Sequence, residues 1–389
     1  MKDELPIDES IALLRALTTA NGIRASRSVV ANYEAIFARD AIMAGLAGLS
    51  AGDEVISRGL GRTLEQLRDL QGGQGQIASN FKVAADGSTQ VSFGTLAPRF
   101  DSATWFLYGV AVLCAAERGH YGEFAAAVDR TVDLLDGIEY NGRHLLYVPA
   151  GGNWADEYPF DGYILYDQVL RAMALRELGR VADRPQWIAK ASAIADAIDA
   201  RFWPAGAWKY GGPRRFPVAA TSPVRVDEHL DLAACALLAA SDLLPHRSGA
   251  LLDALRDEFL AHDRLPPAFT PVITEQDAEW PALAAYHLHG FRNRPHEYHN
   301  GGIWPVWLGF LGVALFRHGR HDDVRHLHQL TTARVSGLSR FDFEEYFHGV
   351  TGEALGTPGM AYTATGFVLL DHVARRADLT APPTLPWIR

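Results

Sequence analysis

The chain has few cysteines and no long run of positive charge. Only two of its 389 residues are cysteine, Cys114 and Cys235, and both lie in apolar stretches. Two isolated thiols do not make the disulfide framework of a small secreted domain. The chain has 46 acidic against 36 basic residues, and no basic cluster is longer than the pair Arg214-Arg215. This balance argues against a nucleic-acid partner.

Signals for membranes, cofactors and metals are also missing. The first ten residues are acidic and lack the apolar core of a signal peptide, and no apolar run reaches transmembrane length. Gly72-Gly73 and Gly301-Gly302 lack the spacing of phosphate- or dinucleotide-binding loops, and neither an HExxH metal motif nor a serine nucleophile elbow occurs. We expect a soluble cytoplasmic protein without cofactor, metal or membrane partner.

Helical patterns dominate the sequence. The segment from Pro185 to Phe202 places apolar residues at helical spacing on one face, and the run from Trp105 to Ala116 is apolar all round. About a dozen such helices are predicted in hairpin-like pairs, including one from Arg225 to Leu243. Helices that are apolar all round fit the inner layer of an all-α (α/α)6 toroid. An open α-solenoid is the alternative, although its repeats would have a more constant length.

No shift in composition marks a linker, and no segment is of low complexity. We therefore expect residues 1–389 to form one catalytic domain.

Asp101 lies where a loop containing Pro98 turns into an apolar helix. Proline disfavours helix at the residue before it, and both Asp101 and Ser102 suit the N-cap of the helix that follows. One interpretation is therefore a simple helix cap. The other is a carboxyl group at the mouth of a pocket, beside an aromatic wall.

Other loops carry the same mixture of aromatic, acidic, amide and guanidinium side chains. Aromatic faces suit the C–H face of a sugar ring, while carboxylates and amides bind its hydroxyl groups, so the mixture indicates a small-molecule pocket. For each neighbour taken alone, core packing or helix capping is the alternative, and His299 in particular also suits a structural role. The candidate binding residues are Tyr33, Phe37, Arg39, Asp40, Asn80, Lys82, Trp105, Trp154, Asp156, Gln168, His299, Asn300, Trp304, Tyr346, His348 and Tyr362.

Hydrolysis of a glycosidic bond requires two carboxyl groups, one to protonate the leaving oxygen and one to act as base or nucleophile. Asp101 is the candidate acid, and Glu345 is the candidate partner. Glu344 is an alternative partner, and a solvated loop charge is the alternative interpretation of both glutamates.

With these residues collected, the chain resembles the alkaline/neutral invertases and, more loosely, bacterial glycogen-debranching-like and glucosidase proteins with (α/α)6 barrels. Its Ala-Pro-Arg-Phe-Asp-Ser-Ala-Thr-Trp is similar to their Ala-Pro-Val-Asp-Ser-Gly-Leu-Trp, and its Tyr-His-Asn-Gly-Gly-Ile-Trp-Pro-Val is similar to their Tyr-His-Asn-Gly-Gly-Ser-Trp-Pro-Val. The segments that carry the resemblance are Tyr33–Leu46, Ile77–Val83, Ala97–Trp105, Asp156–Leu175 and Tyr298–Val306.

The resemblance implies that Asp101 is the general acid and that the second carboxylate, which precedes a tyrosine in the family, is Glu345. Two positions differ from the family pattern. Ser79-Asn80 replaces Ala-Ser, and Arg99-Phe100 replaces a small valine before the acid. The segment between Ala205 and Thr274 shows no matching motif, and sucrose is one candidate substrate among several.

We expect an inverting glycoside hydrolase that acts on a small α-glucoside, such as a disaccharide or a short α-glucan branch. Inversion predicts that the carboxyl groups of Asp101 and Glu345 lie roughly 6.5–9.5 Å apart. A sugar isomerase or epimerase that uses His299 and His348 is the alternative enzyme. A helical scaffold or carbohydrate-binding module is the non-enzymatic alternative. The expected partner is a small carbohydrate, and an oligomer is possible.

Overall fold

The computed structural model of the chain describes residues 4–95, 97–139, 142–206, 208–209, 214–285, 287, 290–378 and 385. Within these residues it contains thirteen α-helices. They are α1 (Ile7–Leu17), α2 (Ala38–Ala51), α3 (Glu54–Asp69), α4 (Phe100–Ala115), α5 (Tyr121–Ile138), α6 (Leu165–Val181), α7 (Pro185–Arg201), α8 (Leu232–Ser241), α9 (Pro245–Glu258), α10 (Trp280–Ala285), α11 (Pro305–Arg317), α12 (His321–Ser336) and α13 (Ala361–Asp378).

Six helices form a closed inner ring. In order around the ring, α2 packs on α4, α4 on α6, α6 on α8, α8 on α11, α11 on α13, and α13 again on α2. The other long helices lie outside, with α1 on α13, α3 on α2, α5 on α4, α7 on α6, α9 on α8 and α12 on α11. This arrangement is the predicted (α/α)6 toroid, because an open solenoid would leave α2 and α13 apart.

The inner helices are buried on all sides, which explains why their sequences lack an amphipathic pattern. In α4, every residue from Asp101 to Leu113 is buried, and α8 is buried along its whole length. An outer helix such as α3 instead buries only one face, through Ile56, Leu60, Leu64 and Leu67. Burial on all sides thus identifies a helix of the inner ring, and burial of one face identifies a helix of the outer layer.

The links at the two ends of the ring differ in length. Five inner helices, α2, α4, α6, α8 and α11, each run into their outer neighbour through a short link, as at Gly52-Asp53 between α2 and α3. The long connections lead from outer helices to the N-termini of inner helices, so they gather at one end of the ring and carry the strands. The strands are β1 (Thr18–Thr19), β2 (Gly22–Ile23), β3 (Ile36–Phe37), β4 (Asn80–Val83), β5 (Thr89–Ser92), β6 (Tyr163–Ile164), β7 (Ala220–Thr221), β8 (Val226–Asp227), β9 (Leu230–Asp231), β10 (Phe269–Thr270), β11 (Tyr346–Phe347) and β12 (Ala354–Leu355).

These strands pair antiparallel into small sheets. Three sheets have two strands each, β1-β2, β9-β10 and β11-β12, and two have three, β3-β4-β5 and β6-β7-β8. In the first three-stranded sheet, Phe37 pairs with Asn80 and Ile36 with Phe81. Short sheets of this kind fix the loops that lead into the inner helices.

One predicted helix is too long at its start. The helix expected from Arg225 to Leu243 begins only at Leu232, because β8 and β9 occupy its first part. Asp231 ends the extended segment, and its carboxylate caps the helix by accepting from the backbone N–H of Ala234 at 3.1 Å. The short helix α10 was not predicted. None of the described helices has the length and apolar character needed to cross a bilayer.

Glycines allow α11 and α13 to approach closely. A methyl group on Gly366 would lie 2.1 Å from the backbone oxygen of Pro305, and one on Gly309 would lie 2.6 Å from that of Gly366. Both distances are far below van der Waals contact, and the neighbouring atoms are backbone atoms that cannot rotate away. The ring therefore depends on glycine at this helix crossing.

We expect Gly366→Ala to lower the free energy of unfolding by about 1–3 kcal/mol, because α11 and α13 must separate to accommodate the methyl group. Gly61→Ala in α3 is the control, since no atom lies within 4 Å of its added methyl group. That change should stabilise the helix by up to about 1 kcal/mol. Urea unfolding of both variants tests the pair, and equal effects would contradict this account of the crossing.

Candidate active site

A cavity lies at the end of the ring where the long connections gather. The space not filled by atoms there amounts to about 440 Å³, part of which is open to solvent. Its lining combines aromatic rings with two carboxylates that come from different connections, a third carboxylate on α2 and a guanidinium. The lining residues are Tyr33, Phe37, Arg39, Asp40, Trp154, Asp156, Tyr298, His299, Trp304, Glu345, Met360 and Tyr362.

The inner helices position several of these side chains through their first turns. Arg39 and Asp40 lie in the first turn of α2, Trp304 is the N-cap residue of α11, and Tyr362 is the second residue of α13. The N-terminus of a helix carries partial positive charge and unpaired N–H groups. The cavity therefore lies at the positive ends of helices, which favours acceptor groups on a ligand.

Glu345 is held inside the cavity by two hydrogen bonds. It precedes β11, and its side chain is 3% exposed. The phenol of Tyr33 donates to Oε1 at 2.8 Å, and the backbone N–H of Thr357 donates to Oε2 at 3.3 Å. Burial raises the pKa of Glu345, while Arg292 and these donors lower it. The carboxylate therefore combines a fixed position with an increased affinity for protons.

Glu344 is not among the residues that line the cavity. Its side chain accepts a hydrogen bond from the backbone N–H of Asp342 at 2.8 Å, which stabilises the loop. Of the two adjacent glutamates, the geometry favours Glu345 as the reacting group.

Asp156 lies on the connection between α5 and α6 and lines the same cavity as Glu345. Its side chain is 30% exposed, so the cavity opens to solvent beside it. Arg99 Nη2 donates to Asp156 Oδ2 at 2.5 Å. The negative charge of Asp156 is one of the influences that raise the pKa of Glu345.

The prediction that Asp101 lies at the mouth of a pocket is wrong. The side chain is fully buried in the first turn of α4 and is not part of the cavity lining. Arg39 Nη1 donates to Asp101 Oδ2 at 2.7 Å. The helix dipole stabilises a carboxylate in the first turn of a helix, and this offsets part of the cost of burying Asp101. Asp101 thus supports Arg39 from below.

Several polar atoms of the lining make no hydrogen bond to the described part of the chain. They are Arg39 Nε, Asp40 Oδ2, Trp154 Nε1, His299 Nδ1 and Tyr362 Oη, and all five are buried. Arg39 Nε and Asp40 Oδ2 are 3.8 Å apart. Buried polar groups are rarely left unpaired in proteins. This set of donors and acceptors is suited to a ligand with several hydroxyl groups.

An aromatic wall covers one side of the cavity. The ring of His299 stacks on Trp304 with centroids 5.5 Å apart, and Trp154 meets His299 edge-on at 5.1 Å. Tyr346 supports Trp304 from behind at 5.7 Å. Burial, reinforced by the charges of Arg292 and Arg39, lowers the pKa of His299 well below its usual range. His299 is therefore neutral at physiological pH.

The remaining predicted residues lie outside the lining and hold the surrounding structure. Gln168 binds the backbone of Leu146 and Ile164. Asn300 binds that of Ile273 and Asn293. The others are Asn80, which accepts from Asn32; Lys82, which pairs with Glu34; Trp105, which donates to Tyr166; Tyr346, behind Trp304; and His348, whose Nδ1 accepts from the backbone N–H groups of Val350 and Thr351.

Three residues of the site are missing from the candidate binding residues that were chosen from the sequence. Tyr298 and Met360 are part of the lining. Arg292 lies over the ring of Tyr298 at 3.9 Å and pairs with Glu157 at 2.8 Å. Tyr298 belongs to the motif that resembles the invertases and could have been chosen from it. Nothing in the spacing around Arg292 or Met360 distinguishes them from ordinary loop residues.

Residues 268–376 match the family described as alkaline and neutral invertase. The chain is 30% identical over 138 residues to the probable alkaline/neutral invertase D of Arabidopsis thaliana, which is 35% of this chain and 24% of that protein. The match thus spans about a quarter of the plant protein's length. The resemblance to the invertases is therefore found again in the part of the chain that contains His299, Trp304 and Glu345.

Solved structures extend the similarity to nearly the whole chain. The GH63 mannosylglycerate hydrolase from Thermus thermophilus, in complex with Tris, superposes with a TM-score of 0.67 at 14% identity, over 94% of this chain and 99% of that one. A bacterial glucoamylase complexed with acarbose gives 0.64 at 13% identity, over 97% of this chain and 56% of that one. The chain has the (α/α)6 glycosidase fold. Within this fold the cavity lies at the end of the ring that holds the N-termini of α2, α11 and α13.

We expect Asp101→Ala to lower the free energy of unfolding by about 3–5 kcal/mol, because it leaves the guanidinium of Arg39 without its buried partner. Asp257→Ala is the control, since that exposed carboxylate pairs with Arg256 at the surface. Its loss should change stability little. Urea unfolding measures both, and similar small effects would show that the Arg39–Asp101 pair is not needed for folding.

Proposed function

We propose that the protein is an inverting glycoside hydrolase acting on a small α-glucoside. The observation that carries this proposal is that Asp156 and Glu345 line one cavity with an aromatic wall. Two carboxyl groups that both reach the glycosidic bond are what its acid–base hydrolysis needs. The (α/α)6 glycosidase fold and the partial match to the invertases support it.

In this proposal Glu345 is the general base. The donors Tyr33 and Thr357 fix its two oxygens, so that the carboxylate is oriented before a ligand binds. Its raised pKa gives it a greater affinity for a proton than a solvated glutamate has. The base would remove a proton from water on the face of the sugar opposite the leaving group.

We propose Asp156, in place of Asp101, as the general acid. Asp156 reaches the cavity and solvent, whereas Asp101 is buried and bound to Arg39. A general acid must reach the leaving oxygen directly or through one water molecule. Asp101 then acts on the substrate only through Arg39.

Arg39 and Asp40 would bind sugar hydroxyl groups at the base of the cavity. Burial raises the pKa of Asp40 to about 7, against the lowering effect of Arg39. Near neutral pH both protonation states of Asp40 are therefore populated, and the carboxyl group can donate to one hydroxyl as well as accept from another. Trp154, His299 and Trp304 supply the apolar wall for the ring face.

Relatives indicate the class of substrate. The matched plant proteins are alkaline/neutral invertases, and the Thermus mannosylglycerate hydrolase has also been crystallised with glucose. An α-glucoside such as sucrose is therefore the first substrate to test. The histidine-based isomerase has less support, because His348 lies outside the cavity lining and the low pKa of His299 makes it a weak base.

Incubation with sucrose, maltose, isomaltose and trehalose, and separately with mannose, followed by proton NMR, tests the reaction. Release of glucose whose first-formed anomer is β would show inversion of an α-glucoside. Asp156→Asn and Glu345→Gln should each lower kcat by roughly 10²–10⁴-fold, because each removes one proton transfer. Retention of the α anomer would contradict the inverting assignment, and interconversion of mannose and glucose would favour the isomerase.

Glu344→Gln is the matched control for the base, since its side chain binds the loop backbone and is outside the cavity lining. It should keep nearly full activity. The acid is tested with α-D-glucosyl fluoride, whose leaving group needs no proton. Asp156→Asn should retain activity on the fluoride, whereas Glu345→Gln should lose it on both substrates. If Asp101→Asn gave the pattern expected of Asp156→Asn, Asp101 would be the acid.

Tyr33→Phe tests whether Tyr33 controls the pKa of Glu345, the proposed base. The change removes a donor that favours the charged form of Glu345, so the pKa of Glu345 should rise further above its ordinary value. Since the base works only when ionised, the acidic limb of the kcat/KM profile should move to higher pH by about one unit. Profiles from pH 4 to 9 measure the shift, and an unchanged acidic limb would show that Tyr33 does not control the base.

A further inference from the structure

Arg99 is the N-cap residue of α4 and, with Phe100, replaces the valine of the invertase pattern. Its side chain is only 10% exposed. Nη2 donates to Asp156 Oδ2, and Nη1 donates to the backbone oxygens of Gly151 and Asn153. The side chain of Arg99 thus connects the start of α4 to the part of the α5–α6 connection that contains Gly151, Asn153 and Asp156.

The loop has other supports besides Arg99. The backbone N–H of Phe100 donates to the oxygen of Gly152 at 2.7 Å. Asn153 donates to Asp167 at 2.9 Å and accepts from the backbone N–H of Ala155 at 3.1 Å. These bonds do not involve the guanidinium. Substitution of Arg99 should therefore alter the charge beside Asp156 without releasing the loop.

The groups that face Asp156 come from several connections. Glu345, Tyr33 and Tyr298 each interact with it electrostatically. Arg292 also lies in this region, but its guanidinium pairs with Glu157 at 2.8 Å. His299 is neutral and adds no charge. Among the ion pairs of the described residues, the cation in direct contact with Asp156 is Arg99.

We propose that Arg99 is a positioning residue that sets the upper pH limit of the reaction by acting on Asp156. The inference rests on the proposed function, in which Asp156 is the general acid. A general acid works only while it holds its proton, and a guanidinium in contact with it favours the charged carboxylate. The basic limb of activity lies correspondingly lower.

The test compares Arg99→Lys with Arg99→Met in profiles of kcat/KM from pH 5 to 10. The substrate is the fastest-cleaved disaccharide of the four named above. Lysine keeps the charge but loses the planar, multiple contacts of the guanidinium, whereas methionine loses both. The basic limb of Arg99→Met should move to higher pH by roughly one unit or more. That of Arg99→Lys should stay close to the original position.

Arg99→Gln is a second neutral variant, whose amide can still donate to the oxygen of Gly151, and it should show the same shift as Arg99→Met. Circular dichroism and urea unfolding establish that each variant is folded. An unchanged basic limb in both neutral variants would overturn the inference. So would an equal loss of activity at every pH in all three variants, which would mean that Arg99 only holds the loop.

The two proposals can fail separately. If Asp156→Asn keeps full activity on the disaccharide, Asp156 is not the acid and the proposed function is wrong in that respect. If Asp156→Asn is impaired but retains activity on α-D-glucosyl fluoride, and the neutral Arg99 variants show no shift, only the role of Arg99 is wrong.

Discussion

The orientation of the six inner helices is the constraint on which the site depends. Their long connections all enter at N-termini, so the partial positive charges of several helices meet at one end of the ring. Buried carboxyl groups lie there, with Asp40, Asp101 and Asp167 in first turns and Asp231 at an N-cap. Burial alone would exclude such groups. Helix ends and nearby donors reduce that cost and let acids accumulate where the cavity forms.

The balance between burial and these donors differs among the carboxyl groups. Burial raises the pKa of Asp231 to about 7, although backbone N–H groups of Ala233 and Ala234 lower it. Burial likewise raises the pKa of Asp40 to about 7, although Arg39 lowers it. A helix terminus by itself therefore does not keep a buried acid of this fold in its charged form.

Three arginines around the cavity are each bound to a carboxylate. Arg39 pairs with Asp101, Arg99 with Asp156, and Arg292 with Glu157. Such a pair adds little net stability over an apolar pair of the same size, because desolvation offsets the attraction, although removal of one partner alone is costly. They do fix where each guanidinium lies. The three pairs thus define the geometry of the site more than they stabilise the fold.

The sequence predicted the helical layers well, because a helix that is buried on all sides has an apolar composition, as α4 and α8 have. It also placed most of the cavity lining, since aromatic and acidic residues cluster in the loops before inner helices. It could not determine which way a carboxyl group in a first turn points, and Asp101 was therefore misplaced. Arg292 was missed because its contacts with Glu157 and Tyr298 depend on how a loop folds back, which no local pattern encodes.

The ring closes where α2, its first inner helix, packs against α13, its last, without a covalent bond between them. The hydrogen bond from Tyr33 to Glu345 likewise spans 312 positions of the chain. During translation the cavity cannot be complete until α13 has left the ribosome and packed against α2. Until then α2 exposes an apolar surface that α13 later covers. A circular permutation could join α13 to α1 and place the new termini in one of the short links. The last step in closing the ring would then bring together a different pair of helices, while the contacts of the cavity would stay the same.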